Sequence, residues 1–560
     1  MSGPFTRKEG ETRVRVAEAV GRSLVELGVD HVFGVVGSGN FEVTEALRAA
    51  GATFVAARHE CAAVCMADGY ARASGRPGVA SVHQGPGLTN AATGLAEAAK
   101  SRTPLLVLTG DTSAAAVRSN FRIDQDGLAA SVDAVPERVH EPGSALDDLG
   151  RAWRRTVVER HAVVLSLPLD VQAAELPAGA ELPPVVPFEP PSPASRAVEA
   201  AADLAEAASR PAILAGRGAV MAGAGPALET LAERIGAVLA TSANGHGLFA
   251  GHPWSLGISG GFASPAAAEL LASADLVLAF GASLNMWTTR HGTLLGPDAR
   301  LVQIDLEPAA LGAQRPVDLG VVGDAAATAA ALEGELGRRG FRSGGFRTEE
   351  VAKGRARWRW KDVPFEDGST DGTIDPRVLT LALEELLPAR RTVVVDSGHF
   401  MGWPAMYLSV PDAAGFVFNQ AYQSVGLGLG AAIGAAVARP DRLTVAALGD
   451  GGAFMALGEL ETAARLGLPM LIVIYDDAAY GAEVHHFGSQ GHPTDIVRFP
   501  DADLAAVGRA AGGEGVTVRG TGDLTEVAAW LEDPAGPMVV DAKVTPTVVG
   551  EWLEDAFRAH

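Results

Sequence analysis

Two acidic residues stand just beyond two apolar runs, at a spacing suited to holding a divalent cation. Leu443–Leu448 is a short apolar run that ends at Gly449, and Gly449-Asp450-Gly451-Gly452 is a glycine-rich turn. From Ala453 to Leu468 apolar residues recur at helical spacing, Pro469 punctuates, Met470–Tyr475 is a second apolar run, and Asp476-Asp477 follows. The pattern predicts a strand–helix–strand unit with parallel strands and a right-handed crossover. Strands joined in this way end on the same edge of a sheet, so Asp450 and Asp477 can meet although they are 27 positions apart. A helix N-terminus offers N–H groups to phosphate oxygens, and paired carboxylates suit a hard cation such as Mg²⁺. The plain alternative is a glycine turn beside two solvated aspartates, since short glycine motifs match by chance.

This stretch resembles the cofactor motif of thiamine diphosphate enzymes, in the branch of acetolactate synthase, benzoylformate decarboxylase and the 2-oxo acid decarboxylases. The resemblance runs from the first helix to Val544. It implies that Asp450, Asp477 and the carbonyl of Ala479 hold Mg²⁺ on the cofactor diphosphate. Gly398, His399, Gly449, Gly451, Gly452, Ala453, Tyr480 and Gly481 are then expected to line the cofactor. Val425 matches the bulky residue that bends it, and Gln423 offers a carbonyl to the ring amine. Glu60, in Arg58-His59-Glu60 before Ala67-Asp68-Gly69-Tyr70-Ala71-Arg72, matches the acid beside the aminopyrimidine ring. A helix cap is the plain alternative for Glu60 and core packing for Val425. One position departs: the family usually has asparagine where this chain has Asp477.

On the substrate side, Ser38 and His83 match two active-site residues of benzoylformate decarboxylase, and Gln84 is the neighbour. His485 and His486, just past the metal loop, are equally readable as catalytic or as a surface pair. His291 is a weak match to a middle-domain histidine, and Arg58 and Asp111 are equally readable as structural. The resemblance implies decarboxylation of a 2-oxo acid, with release of an aldehyde or transfer of the acyl unit to a second carbonyl. An acetolactate synthase-like acyltransferase and a non-catalytic, cofactor-binding member of the fold are the alternatives. A dehydrogenase reading, from Gly216-Arg217-Gly218, lacks the fuller fingerprint.

The elements that must position these residues follow from the rest of the chain. It has 560 residues, 48% hydrophobic and 20% charged, which predicts a globular protein of three or four domains. A net charge of −22 argues against nucleic acid or anionic membrane as partner. Cys61 and Cys65, four apart on one helix face, read as core residues in a reducing cytoplasm. The polar first residues show no signal peptide, residues 1–13 read as a frayed tail, and no apolar run reaches membrane-spanning length. Strands alternate with helices, which predicts α/β domains with doubly wound parallel sheets. The expected boundaries are 1–178 (pyrimidine-binding), 194–336 (central) and 372–560 (diphosphate-binding). The proline-rich stretch 177–193 and the Gly/Arg-rich stretch 337–372 are the expected linkers. Arg76-Pro77, strand, Gly-Pro-Gly, helix, Pro104, strand, Asp111 mirrors the stretch from Arg439 to Asp476, which suggests two related domains. FAD in the middle domain is left open. Because Glu60 and Asp450 lie in different domains, the resemblance implies a homodimer or homotetramer with sites between subunits.

Overall fold

The computed structural model describes residues 14–186 and 188–558, so the N-terminal tail 1–13 lies outside the described residues. Three six-stranded, all-parallel sheets follow one another along the chain. The first contains β1 (His31–Gly34), β2 (Thr53–Ala56), β3 (Gly78–Val82), β4 (Leu105–Asp111), β5 (Val135–Arg138) and β6 (Ala162–Pro168). The second contains β7 (Pro211–Ala215), β8 (Val238–Thr241), β9 (Ser255–Ile258), β10 (Leu276–Phe280), β11 (Arg300–Asp305) and β12 (Leu319–Val322). The third contains β13 (Arg391–Val395), β14 (Phe416–Phe418), β15 (Leu443–Gly449), β16 (Met470–Asp476), β17 (Glu514–Val518) and β18 (Met538–Lys543). Central strands such as β4 and β16 are buried along their whole length, as a parallel sheet covered by helices on both faces requires.

The first sheet runs β2-β1-β3-β4-β6-β5 and the third β14-β13-β15-β16-β18-β17. Matched strand for strand these are the same order, so the internal likeness seen in the sequence is a likeness of topology. The middle sheet runs β12-β11-β10-β7-β8-β9, an order that reverses between β7 and β10. Gly216-Arg217-Gly218 sits at that switch point, where open α/β sheets commonly take a ligand. Here the glycines serve packing: a side chain on Gly216 or Gly218 would strike the backbone of Gly281. Arg217, between them, reaches into the first domain and donates to Thr103 Oγ1 (3.0 Å).

Two expectations need correction. The predicted single helix from Ala453 to Leu468 is two, Asp450–Met455 and Gly458–Arg465. The break lets Glu459 turn back to the first domain, where it accepts from the N–H groups of Arg58 (2.9 Å) and His59 (3.0 Å). The basic stretch 337–372 is not a bare tether. Phe346 and Trp358 are buried in the core of the middle domain, and Arg355 stacks over Trp254 at 4.0 Å.

The first and third domains meet through the helices Glu60–Ser74 and Gly428–Ala438. The contact is glycine and alanine against backbone: side chains on Gly69 or Gly434 would strike the carbonyls of Ala431 and Met66. Cys61 and Cys65 are free, and Cys65 is buried at this contact.

Candidate active site

The acidic pair converges as the strand–helix–strand geometry requires. β15 and β16 are neighbours in register, Gly449 opposite Tyr475, so Asp450 and the loop after Asp476 leave the same sheet edge. Asp450 is buried, and burial first, then Asp477 and Asp476, pushes its carboxyl up to about 8. Burial and then Asp476 push Asp477 up to about 7. Asp476 itself pairs with Lys543 Nζ at 2.6 Å, and it accepts the N–H of Ala478 (2.9 Å). Ala478 takes a left-handed turn (φ 53°) that swings Ala479 and Tyr480 toward the cleft. One buried and one partly buried carboxylate make a set that fits a hard divalent ion. The N-terminus of Asp450–Met455 lies beside them.

A cavity of about 470 Å³ opens over this pair. Gly398, His399, Gln423, Val425, Gly449, Asp450, Gly451, Gly452, Asp477, Ala479, Tyr480 and Gly481 all line it. Ala453, expected among them, is buried and does not. Gln423 holds a left-handed conformation (φ 61°), rare for a non-glycine residue and a mark of a constrained loop. The first domain supplies that constraint. Glu97 accepts the N–H groups of Ala421 (3.2 Å) and Tyr422 (2.7 Å). Arg72 donates to Glu97 Oε1 (3.0 Å) and to the carbonyl of Phe418 (2.9 Å). Both side chains are almost wholly buried.

The second group of expected residues lies elsewhere. Glu60 opens its helix and accepts from Asn90 Nδ2 (3.0 Å). Ser38 Oγ and His83 Nε2 are 3.4 Å apart, and His83 Nδ1 lies 2.8 Å from the Gln84 carbonyl. Gln84 is 2% exposed and packs inward against Gly39 and Gly110. Glu60, Ser38 and His83 follow β2, β1 and β3 at one sheet edge, and none of them lines the cavity over Asp450. Large apolar residues are exposed around them, with Phe41 at 57% and Phe121 at 43%. Around the cavity, Phe454 and Met455 are exposed in the same way.

The adjacent histidines part company. His485 turns its ring to within 4.5 Å of His399, and its Nε2 is buried without a hydrogen-bond partner. Burial, and then His485, lower His399 to about 3. His486 instead stacks on Phe557 at 3.9 Å. His291 lines a separate cavity in the middle domain, with Arg315 and Asp318. Arg58 pairs with Glu461, and Asp111 with Arg138.

Sequence reasoning missed three contributors. Glu483 lines the cavity, one turn into the helix Gly481–Ser489. The C-terminal helix Trp552–Phe557 lines it too, with Trp552 packed edge-on against Trp403 at 4.5 Å. The closely spaced Trp552, Leu553 and Phe557 were the available signal. The Arg72–Glu97 brace had none, because its partners in the third domain are backbone groups.

Comparison with known proteins adds the following. Residues 14–135 match the description Thiamine pyrophosphate enzyme, N-terminal TPP binding domain. Residues 198–332 match its central domain and 396–542 its C-terminal TPP binding domain. The chain is 29% identical to a sulfoacetaldehyde acetyltransferase of Roseovarius nubinhibens, over 98% of this chain and 95% of that one. It is 30% identical to the acetolactate synthase large subunit of Parasynechococcus marenigrum, over 94% and 87%. It is 32% identical to the probable 2-ketoarginine decarboxylase AruI of Pseudomonas aeruginosa, over 91% and 90%.

Proposed function

Because the chain belongs to the thiamine pyrophosphate enzyme family, we propose that it binds thiamine diphosphate with Mg²⁺ and decarboxylates a 2-oxo acid. The acyl unit is released as an aldehyde or passed to a second carbonyl. The observation that carries this reading is the convergence of Asp450 and Asp477 at a helix N-terminus, inside the cavity lined by Gln423 and Val425. When bound, the cofactor supplies the electron sink for cleavage beside the ketone. This chain's residues do the rest. Asp450, Asp477 and the Ala479 carbonyl hold the cation, and the N–H groups of Gly451 and Gly452 face the diphosphate. Val425 sets the cofactor's shape, and Glu60 holds a proton against its aminopyrimidine nitrogen. Ser38 and His83 face the substrate.

Glu60 does not line the cavity within one chain, and each region carries exposed apolar side chains, Phe41 and Phe121 in the first domain and Phe454 and Met455 in the third. That supports a homodimer in which the first domain of one copy covers the third domain of the other. Among the described residues no helix is long and apolar enough to cross a membrane.

A second reading has support from the similarity to sulfoacetaldehyde acetyltransferases: the C–S bond of sulfoacetaldehyde breaks, sulfite leaves, and the acetyl unit passes to an acceptor nucleophile such as inorganic phosphate. One experiment tests both. Purified protein with thiamine diphosphate and Mg²⁺ is given a panel of 2-oxo acids, with and without aldehyde acceptors, and in parallel sulfoacetaldehyde with and without inorganic phosphate, with product analysis. CO₂ release from a 2-oxo acid supports the first reading, and turnover of sulfoacetaldehyde alone supports the second. Cofactor binding without turnover of any of them would leave the non-catalytic alternative.

A further inference from the structure

Asp477 has two carboxylate oxygens, and the cation shared with Asp450 needs only one. The other faces a different neighbourhood. A side chain built on Gly481 would strike Asp477 Oδ2 and lie 3.3 Å from His399 Nδ1, so the carboxylate and that imidazole face each other across the glycine. The His485 ring completes the group, 4.5 Å from His399 and tilted by 49° to it. One ligand atom from each of His399, Asp477 and His485 falls within 4.8 Å of the other two, the span expected of ligands around one ion. The Nε2 atoms of both imidazoles are buried and have no hydrogen-bond partner. A buried imidazole nitrogen left unpaired is costly and calls for a ligand.

We propose that His399, Asp477 and His485 form a second cation site, beside the Asp450 site, which takes a transition metal such as Zn²⁺, Mn²⁺ or Fe²⁺. The ligand chemistry separates the two sites. The Asp450 site is all oxygen and suits Mg²⁺. Two imidazoles and one carboxylate suit first-row transition metals, which bind nitrogen far better than Mg²⁺ does. Three protein ligands leave coordination positions open, as in catalytic rather than structural sites. His399 and Asp477 line the cavity, so those positions face it, where oxygen atoms of a bound ligand can complete the coordination. The departure from the family's asparagine at 477 gains a reason, since an amide offers one oxygen and a carboxylate can bridge two cations. The proposal goes beyond the reading above and does not depend on which reaction the protein catalyses.

The test is made on full-length protein free of thiamine diphosphate, with Co²⁺ as the probe and excess Mg²⁺ present. Co²⁺ bound through imidazole gives a visible absorption band. We expect one Co²⁺ per chain with that band, undisplaced by Mg²⁺. His399→Gln, His485→Gln and Asp477→Asn should each weaken binding at least tenfold, while Asp450→Asn and His486→Gln leave it in place. Circular dichroism checks that each variant is folded, and His485→Gln is the anchor because its side chain is half-buried. Co²⁺ that Mg²⁺ displaces one for one would overturn the proposal. So would binding lost in His486→Gln but kept in the three site variants, or the absence of a band in the unmutated protein. A failed cofactor titration would bear on the proposed function alone.

Discussion

Glu60 accepts a hydrogen bond from Asn90 at a sheet edge that also carries exposed Phe41 and Phe121. If its carboxyl moves a proton at the cofactor ring, Glu60→Gln lowers turnover by about 10²–10⁴-fold, the usual worth of a positioned acid. Thiamine diphosphate binding persists in that variant. Steady-state kinetics beside an equilibrium cofactor titration check both halves, and near-normal turnover removes Glu60 from the role. Asp477→Asn restores an amide that still offers one oxygen to Mg²⁺. It is expected to stay active and to bind the cofactor at least as tightly at saturating Mg²⁺, while needing more Mg²⁺ to saturate. Superimposable Mg²⁺ titrations of the two proteins would show that Asp477 is not a ligand. At this scale the sequence was readable wherever chain geometry alone set the neighbours. Asp450 and Asp477 each follow a strand, and parallel neighbours bring strand ends together. The approach of His399 to His485 was unreadable, since it depends on how one loop and one helix lie across the same edge.

At the scale of elements, the helices Glu60–Ser74 and Gly428–Ala438 touch backbone to backbone. Any side chain larger than hydrogen at Gly434 meets the Met66 carbonyl, so Gly434→Val should force the helices apart. Overpacking of this kind costs about 1–3 kcal/mol, to be read as a lowered thermal midpoint. An unchanged midpoint would mean that the helices can slide to make room. Glu97→Ala strips one of two buried carboxylate partners from Arg72, which keeps Asp68 (2.9 Å), and leaves two N–H groups of the Gln423 loop unanswered. Breaking a buried pair costs about 3–5 kcal/mol when it strands a lone charge, and with Asp68 still on Arg72 the loss is expected at the low end of that range. Weaker thiamine diphosphate binding is expected as well, and cofactor affinity equal to that of the unmutated protein would show that the brace does not set the loop. Element types were legible because the apolar runs are short and glycine or proline bounds them. The helix break before Gly458 was not, because it answers to Arg58 and His59 in another domain.

For the molecule as a whole, acid should act where domains meet. His246, from the middle domain, packs edge-on against Phe416 of the third at 4.9 Å, and burial lowers it to about 4. A histidine held neutral in the folded state contributes stability above its unfolded value near 6.5 and loses it as pH falls toward 4. Between pH 7 and pH 5 that is a loss of about 2 kcal/mol. Thermal midpoints at the two pH values should therefore converge in His246→Leu relative to the unmutated protein, and an equal gap in both would exclude this histidine as the cause. The three-domain order was legible from linkers and repeated punctuation. The packing of the 337–372 stretch was hidden by its basic composition, which masks Phe346 and Trp358.

The helix Glu60–Ser74 has a further consequence in the proposed dimer. At its first residue it offers Glu60 to the partner's cofactor, and near its last turn Arg72, through Glu97, steadies the Gln423 loop around its own. One stiff rod thus touches both sites of the pair. Filling the first site should alter affinity at the second, a cooperativity that must be reciprocal. Binding curves for thiamine diphosphate are then expected to depart from a single hyperbola and to return to one in Glu97→Ala. Hyperbolic curves for both proteins would show that the rod carries no message.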